Sequence, residues 1–176
     1  MVKKLKLEEL NRIDVETFKH TEKIPLTVVL DDIRSMNNVG AVFRTADAFV
    51  VEKILLCGIT PQPPHREIHK AALGATESVD WEYCDEVSEA LKILKEEDYH
   101  IFSIEQTTGS KTLQEINISK SQKYAVIMGN EVEGVSEEAL ALSDGFIEIP
   151  QFGTKHSLNV SVCAGIVMWE FFKNLK

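Results

Sequence analysis

Polar and charged side chains that could act on a ligand are concentrated in three segments of the chain. The segments are DDIRSMNNVGAVFRTADAF (31–49), GNEVEGVSEE (129–138) and IPQFGTKHSLNVSV (149–162). Each of them comes at or directly after the end of a short apolar run. If those runs are strands of an open parallel sheet, the three segments lie beyond their carboxyl ends, where ligands bind in such folds.

In the first segment, Asn38 and Arg44 are the candidate functional residues. Arg44 would lie in a helix among apolar residues, where its guanidinium could face a substrate. The alternative is structural, with Asn38 capping the helix and Arg44 forming an exposed pair with Asp47 one turn later. The local pattern alone leaves both interpretations open.

In the second segment, Gly129 follows a buried run and permits a close approach of the backbone to a ligand. Glu131 stands near the start of a helix that Ser136 is expected to cap, and a simple helix-entry turn explains these residues equally well. The third segment leads through Ser157, a plausible helix cap, into a helix that contains Asn159. Polar groups at the start of such a buried helix are costly unless they are hydrogen-bonded.

The elements that must position these residues follow a β/α alternation. Six short apolar runs predict strands at 26–30, 53–57, 79–83, 99–104, 124–128 and 146–149. Amphipathic helical patterns lie between them, as at 85–98, and imply an α/β fold with a mostly parallel sheet flanked by helices. The uncharged run 124–128 is typical of a central strand.

The domain organisation expected from this pattern is simple. Residues 1–25 form a short helical N-terminal extension, and residues 26–176 form a single domain. The last helix, from residue 158 to 172, is apolar almost all round and must be buried in the core or against a partner.

Composition and charge exclude several classes of protein. The chain has 176 residues and a net charge of −9, which argues against indiscriminate nucleic-acid binding. Eight acids and two lysines lie in residues 82–105, so a neutral or basic surface elsewhere remains available. The longest apolar stretch, 162–169, is too short to span a membrane, and no signal peptide is recognisable, so we expect a cytoplasmic protein.

The sequence does not indicate a metal centre. Cys57, Cys84 and Cys163 are widely spaced in apolar surroundings and are interpreted as reduced core thiols. His65 and His69 have a spacing that could chelate a metal on a helix, but no third ligand is evident. The phosphate-binding motifs GxGxxG and GxxxxGK[ST] do not occur.

Taken together, NNVGAVFRTADAF, VIMGNEVEGVSEE and IPQFGTKHSLNVSVCAGI resemble the three motifs of the SpoU (TrmH-like) family of RNA 2′-O-ribose methyltransferases, in the SPOUT superfamily. They occur in the order and separation typical of that family, and the resemblance spans residues 26–172. It implies a sheet whose C-terminal part is tied in a deep trefoil knot, a rare exception among protein chains.

The resemblance also implies a cofactor and its binding residues. S-adenosylmethionine would lie bent in the knot, held mainly by the backbone of three loops, and the matching residues are Gly129, Ile149 and Leu158. Ile149 and Leu158 offer an apolar slot for the adenine ring. No metal is expected in this chemistry.

The catalytic roles implied by the resemblance fall on polar residues of all three segments. Arg44 would activate the ribose 2′-hydroxyl, with Asn38 supporting it and with Glu131, Ser157 and Asn159 positioning substrate or loops. Arginine is normally protonated in proteins, and the proposal made for the family is that the substrate phosphate helps it to accept the proton.

Family membership further implies a homodimer formed through the C-terminal helix, with both subunits contributing to each active site. The expected substrate is tRNA or rRNA, because the 2′-hydroxyl that serves as nucleophile exists only in RNA. Two alternatives remain in other classes, namely a catalytically inactive homodimer that binds cofactor and RNA, and a small-molecule methyltransferase. The intact set of motif residues favours the RNA-modifying enzyme.

Overall fold

The computed structural model of the chain describes residues 2–176. Within them lie seven strands and seven α-helices. The strands are β1 (Ile24–Asp31), β2 (Val51–Cys57), β3 (Asp80–Cys84), β4 (Tyr99–Ile104), β5 (Lys111–Thr112), β6 (Lys123–Met128) and β7 (Gly145–Glu148). The helices are α1 (Val15–His20), α2 (Met36–Ala48), α3 (Arg66–Ala72), α4 (Ala75–Ser78), α5 (Val87–Glu96), α6 (Glu137–Leu142) and α7 (Val160–Leu175). Short 3₁₀ turns occur at Leu7–Leu10 and Leu113–Glu115.

All seven strands belong to one sheet in the order β3-β2-β1-β6-β4-β7-β5, and every strand pair in it is parallel. The predicted α/β class, a mostly parallel sheet flanked by helices, is therefore confirmed. Each of the six predicted strands is present, and β6 lies at the centre between β1 and β4, as its uncharged sequence indicates. The two-residue strand β5 was not predicted.

The two faces of the sheet carry separate apolar clusters because side chains alternate along each strand. In β1, Leu26, Val28 and Leu30 enter the main cluster, with α2, α3 and α7, whereas Val29 faces the second cluster with α5 and α6. All four of these side chains are fully buried. Burial on both faces favours a nearly continuous apolar strand, and the sequence of β1 shows this pattern with Thr27 as a buried polar exception.

The helix α5 is amphipathic as predicted, with Val87, Leu91 and Leu94 buried against the sheet. Ser136 caps α6, because its Oγ accepts a hydrogen bond from the Ala139 N–H at 3.3 Å. This confirms the helix start expected from the sequence.

The C-terminal helix α7 has two different faces. Met168 and Phe171 are fully buried in the main cluster. Val162, Ile166 and Trp169, which recur at helical spacing, are 52%, 38% and 50% exposed. One face of α7 is thus covered by the rest of the chain, and an apolar stripe on the other face is not.

The N-terminal segment packs on the rest of the chain through α1. Asp14 caps this helix by accepting a hydrogen bond from the Thr17 N–H at 2.7 Å. Phe18 is buried in the main cluster, and the Lys23 ammonium lies 4.4 Å from the centre of its ring. Across residues 2–176, no helix is both long and apolar enough to cross a membrane.

The contact between α2 and α3 depends on a glycine. A Cβ atom at Gly40 would lie 2.5 Å from the carbonyl oxygen of Ile68 and 2.7 Å from the Cβ of Ala71. The two helix backbones therefore approach more closely than any side chain at this position would allow. Since α2 carries the first polar segment, this contact fixes where that segment stands.

Replacing Gly40 with alanine should lower the free energy of unfolding by about 1–3 kcal/mol, the usual cost of overpacking a core. Gly165→Ala in α7 is the matched control, because the nearest atom to its added Cβ is 3.9 Å away. The control should be neutral or stabilising by about 0.5–1 kcal/mol, since alanine favours a helix. Urea denaturation of both variants measures these changes, and equal stability would contradict the proposed packing.

Candidate active site

Residues of the second and third polar segments line one cavity at the carboxyl edge of the sheet. The loops that follow β4, β6 and β7, together with the start of α7, enclose about 430 Å³, a volume suited to a small molecule. Six residues predicted from the sequence are among those that line it: Gly129, Glu131, Ile149, Ser157, Leu158 and Asn159.

Glu131 joins the first segment to this cavity. Its Oε2 accepts a hydrogen bond from the Arg34 N–H at 2.9 Å. Its Oε1 accepts from the Ser35 N–H at 3.1 Å and from the Asn38 side-chain amide at 2.9 Å. One carboxylate on the loop after β6 thus holds the entry to α2.

Asn38 continues the network to the third segment, because its Oδ1 accepts a hydrogen bond from the Asn159 amide at 3.2 Å. It does not cap α2, as one interpretation of the sequence expected. Ser35 is the cap, and its Oγ accepts from the Asn38 N–H at 3.3 Å. The side chain of Asn38 is therefore free to link Glu131 and Asn159.

The cap of α7 also differs from the prediction. Asn159, rather than Ser157, precedes the first helical residue, and its Oδ1 accepts from the Ser161 N–H at 2.9 Å and the Val162 N–H at 3.4 Å. Asn159 thus satisfies backbone donors with its oxygen and reaches Asn38 with its nitrogen. Ser157 lies two residues earlier on the exposed rim of the cavity.

The hydrogen bonds around Glu131 control its ionisation. Partial burial raises the pKa of this carboxyl, but the donors on Arg34, Asn38 and Ser35 outweigh burial and bring the pKa below its ordinary value of 4.5. Glu131 is therefore a carboxylate at neutral pH, and it acts as an acceptor rather than as an acid.

The first polar segment begins with two adjacent acids, Asp31 and Asp32, to which the sequence alone assigned no role. In the structure both accept hydrogen bonds. Asp31, only 2% exposed, accepts a hydrogen bond from the Ser136 N–H at 2.9 Å. Burial raises its pKa, and the hydrogen bonds with Ser136 offset this only in part. Asp32 accepts from the Ile59 N–H, while its carbonyl oxygen accepts from the Asn130 amide at 2.7 Å. Two consecutive aspartates at the end of an apolar run were the sequence feature that could have identified these residues as part of the site.

Glu105 is a further residue of the site that sequence reasoning missed. It follows β4 and lines the cavity. Its carboxylate accepts hydrogen bonds from its neighbour Gln106, at 2.9 Å from the N–H, and from the Val135 N–H at 3.1 Å. Glu105 thereby ties the loop after β4 to the loop after β6.

The loop after β6 is compact because of glycines at both ends. Asn130 and Gly134 exchange backbone hydrogen bonds of 2.9 and 3.0 Å. Gly134 has φ = +75°, and a Cβ at Gly129 would collide with the backbone of Gly134 and Val135. The role of Gly129 here is to let the loop close on itself, in addition to lining the cavity.

Arg44 lies apart from the cavity. It is six residues beyond Asn38 in α2, about 9 Å along the axis and about 120° around it. Arg44 is exposed and lines a groove with Arg12, Asp14 and Leu73. Among the ion pairs of the described residues none joins Arg44 to Asp47, whose carboxylate instead accepts from Ser78.

The residues considered for metal binding or thiol chemistry have structural environments. His65 caps α3, with its Nδ1 accepting from the Glu67 N–H at 3.2 Å. In the part of the chain that the structure describes, no group of three or more His, Cys, Asp or Glu residues could hold a metal ion. The cysteines are free; Cys57 is buried, while Cys84 and Cys163 are half-buried, and burial raises the pKa of Cys163 to about 11.

The sequence and the fold of this chain are those of a known family. The family model described as the SpoU rRNA Methylase family matches residues 25–169 of this chain. The chain belongs to this family, and the family predicted from the three motifs is confirmed.

Two curated relatives show the breadth of this similarity. The tRNA (guanosine(18)-2′-O)-methyltransferase of Thermus thermophilus is 32% identical over 92% of this chain and 81% of its own length. The 23S rRNA (guanosine-2′-O-)-methyltransferase of Neisseria meningitidis is 32% identical over 91% of this chain, which spans 63% of that enzyme.

Solved structures give the same fold. An AdoMet-bound rRNA methyltransferase from Sinorhizobium meliloti superimposes with a TM-score of 0.82 at 25% identity, covering 90% of this chain and 60% of that one. The TrmH/SpoU tRNA-modifying enzyme of A. aeolicus superimposes with a TM-score of 0.79 at 26% identity, covering 91% and 79% of the two chains.

Replacing Glu131 with glutamine should lower the free energy of unfolding by about 1 kcal/mol at neutral pH, the low end for hydrogen bonds to a charged group because this carboxylate is partly exposed. The folded pKa lies below 4.5, so its stabilisation is complete above that pH and is lost as the pH falls through the folded value. The difference between wild type and Glu131→Gln should therefore shrink in acid.

Thermal and urea unfolding at several pH values measure this difference. Glu133→Gln is the matched control, since Glu133 lies on the same loop with an exposed side chain. A Glu131→Gln variant that matches the control at pH 7 would refute the role assigned to the carboxylate.

Proposed function

We propose that this protein is an S-adenosylmethionine-dependent RNA methyltransferase that transfers a methyl group to a ribose 2′-hydroxyl of tRNA or rRNA in the cytoplasm. The observation that carries the proposal is the single hydrogen-bonded site. Glu131, Asn38 and Asn159 join all three motif segments at one cavity. The names of the relatives, which modify guanosine riboses in tRNA and rRNA, support the same reaction.

The cavity has the properties that S-adenosylmethionine requires. Ile147, Ile149 and Leu158 provide apolar surface for an adenine ring, and the surrounding loops provide backbone groups for its polar edge. Glu105 and Glu131 place carboxylates in the lining, which suits a positively charged ligand. Gly129, Ile149 and Leu158 are the residues that would hold the cofactor, and no metal is needed. When bound, it supplies a methyl group activated by a sulfonium sulfur.

The protein's own contribution to the reaction is positioning and proton removal. Arg44 binds the 2′-hydroxyl and the adjacent phosphate through its planar guanidine group. As the 2′-oxygen forms its bond to the methyl group, its proton passes to Arg44 with the help of the substrate phosphate, as proposed for the family. Asn38, Glu131 and Asn159 hold the start of α2 at the cavity, and Ser157 lies on its rim, where it can position substrate. Holding the attacking oxygen in line with the methyl group supplies much of the rate.

The position of Arg44 outside the cavity supports an active site that is shared between two copies of the chain. Its neighbour in α2, Thr45, lies near Gly165 of α7, which adjoins Ile166 of the exposed apolar stripe. A second copy docked on this stripe would bring its own cavity toward Arg44. The proposed enzyme is therefore a homodimer, with Arg44 of one chain serving the cavity of the other.

The dimer interface assigned here is the stripe of Val162, Ile166 and Trp169. Phe49 and Phe172 extend it, because the ring centre of Phe49 lies 5.6 Å from that of Trp169 and 5.3 Å from that of Phe172. An aromatic and aliphatic surface of this kind is typical of the core of a permanent interface. Covering it would complete the burial of α7 expected from its sequence.

The remaining parts of the proposal concern chain path and domain limits. Residues 26–176 constitute the catalytic domain and residues 1–25 its N-terminal extension. Helix α1 of the extension packs on the domain through Phe18, and Ile24 and Pro25 already belong to β1. The loops that line the cavity would belong to a deep trefoil knot, as the family resemblance implies. The order of β6, β4 and β7 in the sheet is consistent with such a path, because α7 returns from β7 to pack beside α2 and β1.

Arg44→Ala and Arg44→Lys should each reduce methyl transfer by roughly 100-fold or more, the usual scale for a positioned acid-base group. Lysine should not restore activity, because its point charge cannot reproduce the guanidinium fork. Affinity for S-adenosylmethionine should stay nearly unchanged, since Arg44 does not line its cavity. Single-turnover methylation of RNA from a deletion strain, together with calorimetric titration of the cofactor in the presence of a chelator, measures both quantities.

Lys92→Ala, which removes an exposed cation on the far face of the sheet, is the control. Normal transfer by Arg44→Ala would remove the catalytic assignment. Cofactor binding without any methylated RNA in the wild type would favour the inactive scaffold, and transfer to a small molecule alone would favour that rival class.

Ile166→Glu should convert the dimer to monomers without unfolding the chain, because this side chain is 38% exposed in the single copy. A buried position such as Met168 would not separate the two effects. Ile93→Glu, on α5 and 54% exposed, is the matched control and should leave the dimer intact. Analytical ultracentrifugation with circular dichroism distinguishes the outcomes, and a monomeric wild type would reject the interface.

A further inference from the structure

A second cavity lies at the β3 edge of the sheet, between α3 and β3. It has a volume of about 500 Å³. Apolar side chains of Pro63, Pro64, Ile68 and Trp81 form much of its lining, and Arg66 is among the polar residues at its border. None of these residues belongs to the site described above, so we refer to this space as the Trp81 cavity.

Trp81 gives the cavity a flat aromatic surface that is held in place. The ring is half-buried, and Phe43 in the core meets it edge-on, with 6.5 Å between ring centres and an interplanar angle of 84°. Two residues later on the same face of β3, Tyr83 is 38% exposed. Its hydroxyl donates to the carbonyl oxygen of Gly58 at 2.9 Å. The strand therefore presents two fixed aromatic rings at the surface.

The border of the Trp81 cavity carries a guanidinium, that of Arg66, although the chain has a net charge of −9. Arg66 is 92% exposed, and its Nε lies 3.9 Å from Glu67 Oε1, too far for a hydrogen bond. His69 also lines the cavity, and the exposed Lys70 follows it directly in α3. An aromatic floor with an exposed guanidinium and an imidazole beside it fits a ligand that is planar at one end and anionic at the other.

One path of hydrogen bonds and adjacent residues connects the Trp81 cavity to the candidate active site. The Thr60 hydroxyl, on the loop that leads from β2 to the cavity, donates to the Leu30 carbonyl oxygen and accepts from the Ile33 N–H, both at 3.0 Å. Ile33 directly precedes Arg34, whose N–H donates to Glu131. These hydrogen bonds hold the loop that leads to the Trp81 cavity in a fixed position relative to the candidate active site.

We propose that the Trp81 cavity binds one unpaired nucleotide of the substrate RNA, outside the nucleotide that is methylated. The base stacks on the Trp81 ring, and the phosphate contacts Arg66 and His69. Glu77, which also lines the cavity, provides an acceptor for an amino group on the base edge. The proposal rests on the proposed function in that RNA is the substrate. A local site of this kind would allow a chain with a net negative charge to bind RNA.

Binding of a short, unstructured RNA oligonucleotide labelled with fluorescein, followed by anisotropy, tests this site. Trp81→Leu should weaken binding by about 5- to 150-fold, the range expected for loss of one stacked base. Trp81→Phe retains an aromatic ring and should lose less. Arg66→Gln should reduce the slope of log affinity against log salt by about 0.7, because one phosphate contact to a single strand is lost.

Lys92→Gln is the matched control, since it removes an exposed cation from α5 on the opposite face of the sheet and should change neither quantity. The surface variant Arg66→Gln keeps the test valid even where Trp81→Leu destabilises the fold. Wild-type affinity in both Trp81→Leu and Arg66→Gln would overturn the proposal. Adenosine monophosphate that binds as tightly as the oligonucleotide would also overturn it, because the site would then serve a free nucleotide.

The failure of this inference and the failure of the proposed function are distinguishable. If wild-type protein methylates RNA while the variants bind the oligonucleotide normally, only the Trp81 cavity assignment fails. If no methyl transfer occurs but Trp81→Leu and Arg66→Gln weaken RNA binding as expected, the cavity assignment stands without the enzyme. The affinity for S-adenosylmethionine, measured by calorimetry, should be the same in every variant. Equal affinities would show that the substitutions affect the Trp81 cavity and not the cofactor cavity.

Discussion

The carboxylate of Glu131 is the acceptor on which the geometry of the site depends. Two backbone N–H groups at the entry to α2 and the amide of Asn38 all donate to it, and Asn38 then reaches Asn159 at the entry to α7. Donors at helix entries have no partner within the helix, and an anion there is favoured by the helix dipole. One charge on a short loop therefore fixes two helices that are far apart in the sequence.

Other carboxylates along the carboxyl edge of the sheet also accept hydrogen bonds from the backbone of neighbouring loops. Asp31 and Asp32 continue the buried strand β1, and each turns its carboxylate to a backbone N–H of a neighbouring loop, at Ser136 and Ile59. Glu105 does so from β4. The acids of this edge thus hold loops in place, and Glu105 and Glu131 also line the cavity.

Much of the fold could be predicted because the apolar runs are short, separate and uncharged, as in the central strand 124–128. The strand β5 was missed because two residues carry no periodic signal. The caps of α2 and α7 are Ser35 and Asn159, whereas the sequence suggested Asn38 in one interpretation and Ser157 as a plausible cap. Serine and asparagine are equally good caps in isolation. Which of them caps depends on tertiary partners such as Glu131. The position of Arg44 outside the cavity follows from helix geometry and from the packing of α2, which sequence spacing does not contain.

The central strand pair of the sheet has a consequence for how the chain reaches this fold. Leu26 in β1 pairs with Tyr124 in β6, about a hundred residues later. During synthesis, β1 can pair at once with β2, but its other edge stays open until β6 leaves the ribosome. Contacts of such high sequence separation slow folding, and an open edge on an apolar strand invites pairing with other chains. The centre of the sheet therefore closes late in synthesis, and the nascent chain is most vulnerable to aggregation before it does.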